Sequence, residues 1–310
     1  MPMIATLTMN PSLDVTTSVD RVRPTDKLRT GALRHDPGGG GINVSRVVHE
    51  LGGATCAVFP GNGPSAQTID LLLSDQNVPF EMVPIMQQTR ESFTVDETST
   101  GEQYRFVLPG PKLEPQEYQA CLDTLCAIEP APEIIVFSGS LPTGTTPKLP
   151  RDVCRIVRDM GAKLIVDMSG PLLAEISGAF MIKPNRAELA ALVARDLPTA
   201  DDIIAAAREL IARGMSEYVV VSLDAAGAMF IAANDARHYP PITVEVASAV
   251  GAGDSMVAGI ALSVTRGQDM HQAMRCGLAA GTAALMSPGT NLVAKADYER
   301  LLAAYAPAWN

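Results

Sequence analysis

From about residue 131 onward, short apolar runs alternate with longer stretches of helical period, and this alternation leaves few folds open to the chain. The runs are 133–138 (EIIVFS), 163–167 (KLIVD), 180–183 (FMIK) and 218–222 (YVVVS). Strands alternating with helices are the pattern of βα units around a parallel sheet. Runs that are apolar throughout suit strands covered on both faces. Ligands of such sheets sit at the carboxyl ends of the strands, so residues just after each run are the first candidates for chemistry.

The first third reads differently. Segments 13–19, 27–34, 92–96 and 103–108 alternate polar and apolar residues without a long helix after each one, which predicts a small antiparallel sheet beside the main body. Between them, 41–51 has a helical period and 55–59 reads as another core strand. The expected architecture is α/β: a mostly parallel central sheet flanked by helices, with a small β-sheet lobe. Its 310 residues, 47% hydrophobic, suffice for one large core with a small appended lobe.

Composition excludes several function classes. A formal net charge of −10 argues against a nucleic-acid surface, which leans on a basic face. An anionic substrate would need local cations, for which Lys27, Arg90, Arg105 and Lys183 are candidates. The apolar stretches 256–264 and 277–286 fall short of the ~20 residues of a membrane span and read as buried helices. Residues 1–17 have no basic segment leading into an unbroken apolar run, and Asp14 interrupts the apolar region a signal peptide would need. Five cysteines without C-x-x-C spacing and four scattered histidines signal neither a disulfide framework nor a zinc site, so the expected compartment is cytoplasmic.

Three motifs carry the chemistry. Val250-Gly251-Ala252-Gly253-Asp254 precedes a helical run at 255–264. Two glycines at a helix start let backbone N–H groups converge on an anion, and a carboxylate beside them could accept a proton from a hydroxyl. A tight turn with Asp254 as a helix cap is the plainer alternative. Pro37-Gly38-Gly39-Gly40-Gly41-Ile42-Asn43 suggests close approach of backbone to a ligand, with the Asn43 amide able to bond sugar hydroxyls or to cap a helix. Lys183-Pro184-Asn185-Arg186-Ala187-Glu188 directly follows a strand. There Lys183 could face phosphate, and Asn185 with Glu188 could hold water around Mg²⁺ or form a capping box. Asp14 could accept two sugar hydroxyls, and Ser138-Gly139-Ser140 offers donors at the sheet's ligand edge. A Walker P-loop is excluded, since no Gly-Lys dipeptide occurs, and a dinucleotide fingerprint would need glycine at Met256.

Together these segments resemble the PfkB carbohydrate kinase family, with GGGGIN and GAGD similar to its two signatures. TLTMNPSLD at 6–14, DKLR at 26–29, QYRFVLPG at 103–110, SGSLP at 138–142 and KPN at 183–185 resemble its ATP-dependent 6-phosphofructokinase branch. The resemblance implies a single ribokinase-like domain over 1–310, its β lid contributed by approximately 13–36 and 91–108. It implies Asp254 as general base and the Gly251, Ala252 and Gly253 amides as anion hole. Asp14, Gly39 and Asn43 would hold the sugar, and Lys27, Arg90, Arg105 and Ser138 its phosphate. Lys183, Asn185, Glu188, Ser222 and Gly227 would line the ATP side, with Mg²⁺ held by Glu188 through water. K⁺ would sit on the carbonyls of Ser248, Val250 and Gly289. A homodimer through the lid is expected.

The expected reaction is ATP-dependent phosphorylation of a hexose phosphate, first fructose 6-phosphate to fructose 1,6-bisphosphate. Tagatose 6-phosphate and fructose 1-phosphate are the competing substrates, and a catalytically weak sugar-phosphate or nucleotide sensor is the reading from another class. The chain departs from the branch at Asp224, where glycine is usual, at Ala249, which replaces a hydroxyl residue, at Asn291, where arginine occurs, and in the glycine pattern of 62–67.

Overall fold

The structure, a computed structural model, describes residues 3–287 and 292–305. The first third holds β1 (Met3–Leu7), β2 (Ser12–Val19), β3 (Arg34–Gly38), α1 (Gly40–Glu50), β4 (Ala54–Gly61), α2 (Gly63–Asp75), β5 (Phe80–Pro84), β6 (Arg90–Glu97) and β7 (Gln103–Val107). There follow α3 (Pro115–Cys126), β8 (Ile134–Ser138), α4 (Lys148–Asp159), β9 (Lys163–Asp167), β10 (Ala179–Ile182), α5 (Arg186–Val193), α6 (Ala200–Ala212) and β11 (Ser216–Ser222). The last part holds β12 (Ala228–Ile231), β13 (Ala236–Tyr239), α7 (Ala252–Thr265), α8 (Met270–Leu285) and α9 (Lys295–Ala304).

The nine-stranded sheet has the order β13-β12-β11-β10-β9-β8-β1-β4-β5. Every neighbouring pair from β11 to β5 is parallel, while β12 and β13 add antiparallel. A short turn through Gly227 joins β11 to β12, and only an antiparallel neighbour can follow so short a connection. Strand order reverses between β1 and β8, which opens a crevice at their carboxyl ends.

Side chains alternate across these strands. Ile135 and Phe137 of β8 pack with Leu122, Val153 and Leu210 from the helices of one face. Ile134 and Val136 pack with Val44, Val257 and Ala280 on the other. Helices α7 and α8 are apolar nearly all round because both lie in this second core. Their backbones approach so closely that a Cβ on Gly259 would stand 2.6 Å from the Cys276 carbonyl oxygen.

The four-stranded sheet has the order β3-β2-β6-β7. Its outer pairs are antiparallel as expected, but β2 and β6 run parallel. The chain returns to β6 through α1, β4, α2 and β5, and this long crossover delivers the strand in the same direction as β2. The strand expected over 27–34 is also displaced. Residues 27–33, which follow Thr25 at φ 66°, are not a strand, although the Gly31 N–H still donates to the Ser18 carbonyl at 2.8 Å, and β3 begins only at Arg34, leading straight into the glycine run. Leu13 and Val15 of β2 pack on Ile42, Phe59 and Ile69, which roots the small sheet to the body.

Candidate active site

Three chain segments converge at the crevice: the start of α7, the start of α1 and the carboxyl ends of β8 to β10. Gly251 opens α7 at φ 76°, a left-handed conformation, and a Cβ there would overlap Leu292. Asp254 lies in the first turn of α7, where the helix dipole favours negative charge. Asn43 Nδ2 donates to Asp254 Oδ2 over 2.9 Å. Burial pushes the Asp254 carboxyl up to about 7. The Asp167 charge and, to a lesser degree, that of Asp14 add to the rise, while the Asn43 hydrogen bond and Lys183 oppose it.

The glycine run is explained by proximity. A Cβ on Gly40 would overlap Ser138 Oγ, stand 2.8 Å from the Gly139 nitrogen and 3.1 Å from Asp254 Oδ1. Thr8, just after β1, accepts the Ile42 N–H at 2.9 Å and so fixes the first turn of α1. Ser138 Oγ is buried without a hydrogen-bond partner beside this turn.

The small sheet roofs a cavity of about 290 Å³ over Asp254. Asp14, Gly39, Asn43, Arg90, Arg105 and Gly251 line it. Ser12 Oγ donates to Asp14 Oδ1 at 2.6 Å. Burial raises the Asp14 carboxyl, against Ser12, Arg90 and Arg105, which favour its charge. Arg90 is braced by the Leu108 and Asn10 carbonyls, each at 3.1 Å, and its buried Nε has no hydrogen-bond partner.

On the other side of Asp254, Lys183 Nζ pairs with Asp167 Oδ2 at 3.1 Å, and both side chains are largely buried. Burial alone would lower the Lys183 pKa, but the Asp167 charge and hydrogen bond outweigh it and raise it. A Cβ on Gly253 would lie 3.4 Å from this ammonium, so the cation faces the start of α7. Asn185 caps α5 in a reciprocal box: its Oδ1 accepts the Glu188 N–H and Glu188 Oε2 accepts the Asn185 N–H, both at 2.8 Å. Ser222 ends β11 beside Asn185. Gly227 has φ 87°, and Asp224, three residues before it, has φ 49°.

The sequence pattern of the pfkB family carbohydrate kinases matches residues 7–296. This chain belongs to the PfkB carbohydrate kinase family. It is 48% identical over 300 residues to the ATP-dependent 6-phosphofructokinase isozyme 2 of Mycobacterium tuberculosis, covering 96% of this chain and 88% of that protein. Phosphofructokinase-2 from Escherichia coli, solved in complex with potassium, superposes with a TM-score of 0.93 at 38% identity, covering 98% of this chain and 99% of that one. The same protein in complex with fructose-6-phosphate gives a TM-score of 0.92 at 37% identity, with the same coverage. The ribokinase-like α/β architecture expected from the motifs is the observed one, and this PfkB chain is a sugar kinase.

In this PfkB kinase the fold brings Asp14, Gly39, Asn43, Arg90, Arg105, Gly251 and Asp254 to one cavity. Ser138 lies just behind Gly40, and Lys183 just behind Gly253. Lys27 is exposed, in the segment between β2 and β3, and is not among the cavity's walls. Ser248 is buried and its Oγ accepts the Val250 N–H at 3.2 Å, whereas Gly289 and Asn291 lie outside the described residues. Asp167 was not singled out from the sequence. Its signal was its place as the last residue of the apolar run 163–167, at the carboxyl edge of a parallel strand.

Proposed function

We propose that this PfkB kinase transfers the γ-phosphoryl group of ATP to the 1-hydroxyl of fructose 6-phosphate, giving fructose 1,6-bisphosphate and ADP. The observation that carries this reading is the Asp254 carboxylate, bonded to Asn43 at a helix start and facing a cavity that also holds Asp14, Arg90 and Arg105. A carboxyl with a pKa near 7 is matched to accepting a hydroxyl proton at neutral pH.

Asp14 and Asn43 orient the sugar hydroxyls, and Arg90 and Arg105 take up its 6-phosphate, a task suited to forked guanidinium groups. Lys27 reaches that phosphate only if its segment folds toward the cavity or comes from a second copy. Asp254 accepts the proton of the attacking hydroxyl as the new O–P bond forms and the bond to the bridging oxygen of ADP breaks. The Gly251, Ala252 and Gly253 amides and the helix dipole stabilise the transferring group, for which positioning and charge carry most of the catalysis. Lys183, held by Asp167, supplies a cation behind Gly253. Ser222, which bridges to Asn185, and Gly227 belong to the ATP side in the same reading.

Among the described residues no cluster of three or more His, Cys, Asp or Glu could hold a metal by itself. Mg²⁺ binds through one or two carboxylates, substrate phosphates and retained waters. Glu188 spends Oε2 on the Asn185 N–H and keeps its other oxygen for a metal-bound water. The bound ion would neutralise charge on the phosphates. A K⁺ site on the carbonyls of Ser248, Val250 and Gly289 belongs to the same reading.

The two sheets act as body and lid of one kinase domain. Leu33, Phe93, Phe106 and Val107 are exposed apolar residues of the lid and its approach, which favours a homodimer through this surface. Among the described residues no helix is long and apolar enough to cross a membrane, and the described cysteines are all free. A cytoplasmic location belongs to the same reading.

ADP release with Mg-ATP, measured against fructose 6-phosphate, tagatose 6-phosphate, fructose 1-phosphate and ribose, tests the reaction. The highest kcat/KM is expected for fructose 6-phosphate; a preference for ribose would contradict the phosphate role of Arg90 and Arg105.

A further inference from the structure

Helix α1 places Asn43 and Arg46 one turn apart on one side. The Arg46 side chain is only 9% exposed and joins three elements. Its Nε donates to Gln76 Oε1, just after α2, at 2.9 Å. Nη1 donates to the Pro37 carbonyl of β3 at 3.2 Å and, more weakly, to Asn43 Oδ1 at 3.5 Å. Nη2 stands 3.9 Å from Asp36 Oδ1, also in β3.

A guanidinium has donors and no acceptor, so the Asn43 atom that faces it must be the oxygen. The amide nitrogen is then left toward Asp254, where it donates at 2.9 Å. A flipped amide would set donor against donor at Arg46 and acceptor against acceptor at an ionised Asp254. Resting on the phosphoryl-transfer reading above, we propose that Arg46 is a positioning residue for the reaction. It locks the Asn43 amide in the orientation that favours the ionised base, and it ties that amide to the root of the lid through Pro37 and Asp36.

The charged groups that bear most on Asp254 are Asp167, Lys183 and Asp14, so Arg46 acts on it through the amide. Arg46 itself faces Asp36, with Asp14 and Arg34 beyond. Burial lowers its pKa, and the Asp36 charge opposes this. Lysine could replace the charge, but its ammonium could not span Gln76, Pro37 and Asn43 in one plane.

The test is the pH dependence of kcat/KM for fructose 6-phosphate in the wild type, Arg46→Gln, Arg46→Lys, Asn43→Ala and the Asn43→Ala/Arg46→Gln double variant, with thermal unfolding of each. Arg46→Gln is expected to move the acidic limb up by about one pH unit, the size of a lost hydrogen bond to a charged group. Arg46→Lys moves it less in the same direction, and decides the matter should the glutamine variant not fold. In the Asn43→Ala background, Arg46→Gln adds no further displacement. A uniform loss of rate at every pH with the limb in place, or an equal displacement without Asn43, would overturn the proposal. Titration of the Asp254 carboxyl by ¹³C NMR reads the same displacement without turnover. If no sugar phosphate were phosphorylated, the functional reading would fail while the role of Arg46 was still decided.

Discussion

Asn43 and Asp254 are 211 positions apart in sequence, yet the amide nitrogen of one donates to the carboxylate of the other over 2.9 Å. The bond joins the two glycine motifs, because each residue stands in the first turn or so of a helix whose start is glycine. It also sets the chemistry: the hydrogen bond favours the charged carboxylate, while burial and Asp167 favour the neutral one.

The base must be ionised to act, so activity should follow its titration. With Asp254 up at about 7, kcat/KM is expected to fall about tenfold per unit as pH drops below that value and to level off above it. A pH–rate profile flat down to pH 5 would count against Asp254 as the titrating base.

The same shift has a cost in stability. In the unfolded chain Asp254 ionises near 3.8, but in the folded protein only near 7, so between these values the folded state binds more protons and stability falls as pH rises. Asp254→Asn removes the ionisation. The variant is expected to be more stable than the wild type at pH 8, by up to about 4 kcal/mol if the whole shift is recovered, with the gap closing toward pH 4. Equal differences at both pH values would contradict this.

Lys183 and Asp167 form a buried pair, and removing one partner strands the other. Lys183→Met is expected to cost about 3 kcal/mol in denaturant unfolding and to raise the KM for ATP. The Lys183→Met/Asp167→Leu double variant should recover part of the stability without recovering the KM.

Gly40 has no room for a side chain between Ser138 and Asp254. Gly40→Ala should cost about 1–3 kcal/mol and lower kcat on the order of 10²-fold by displacing Asn43 and the base from one another. Steady-state kinetics that left kcat within a factor of two would show that the approach is looser than the geometry implies.

Most of the body was legible because buried parallel strands and their helices write a long, periodic apolar pattern. The strand over 163–167 was read at its observed bounds, and helix 41–51 within one residue. The lid was less legible. Residues 27–33 alternate as a strand does, yet nothing local reveals that regular pairing begins only at Arg34, and the parallel pairing of β2 with β6 is set by the long crossover through residues 20–89. At the site, Asp254, Asn43 and Asp14 stood out through their glycine and turn contexts. Asp167 and Arg46 did not, because an aspartate ending a strand and an arginine inside an amphipathic helix look ordinary until the fold sets Lys183 and Asn43 beside them. The capping box of Asn185 and Glu188 was legible as a cap, and it is one.

The most direct test of the central claim is the single-site comparison of wild type and Asp254→Asn in ADP release with fructose 6-phosphate at pH 8, where the wild-type base is ionised. A folded variant whose kcat falls by roughly 10²–10⁴-fold with little change in sugar KM is the predicted result. A variant that keeps kcat within tenfold of wild type would contradict the assignment of Asp254 as the base.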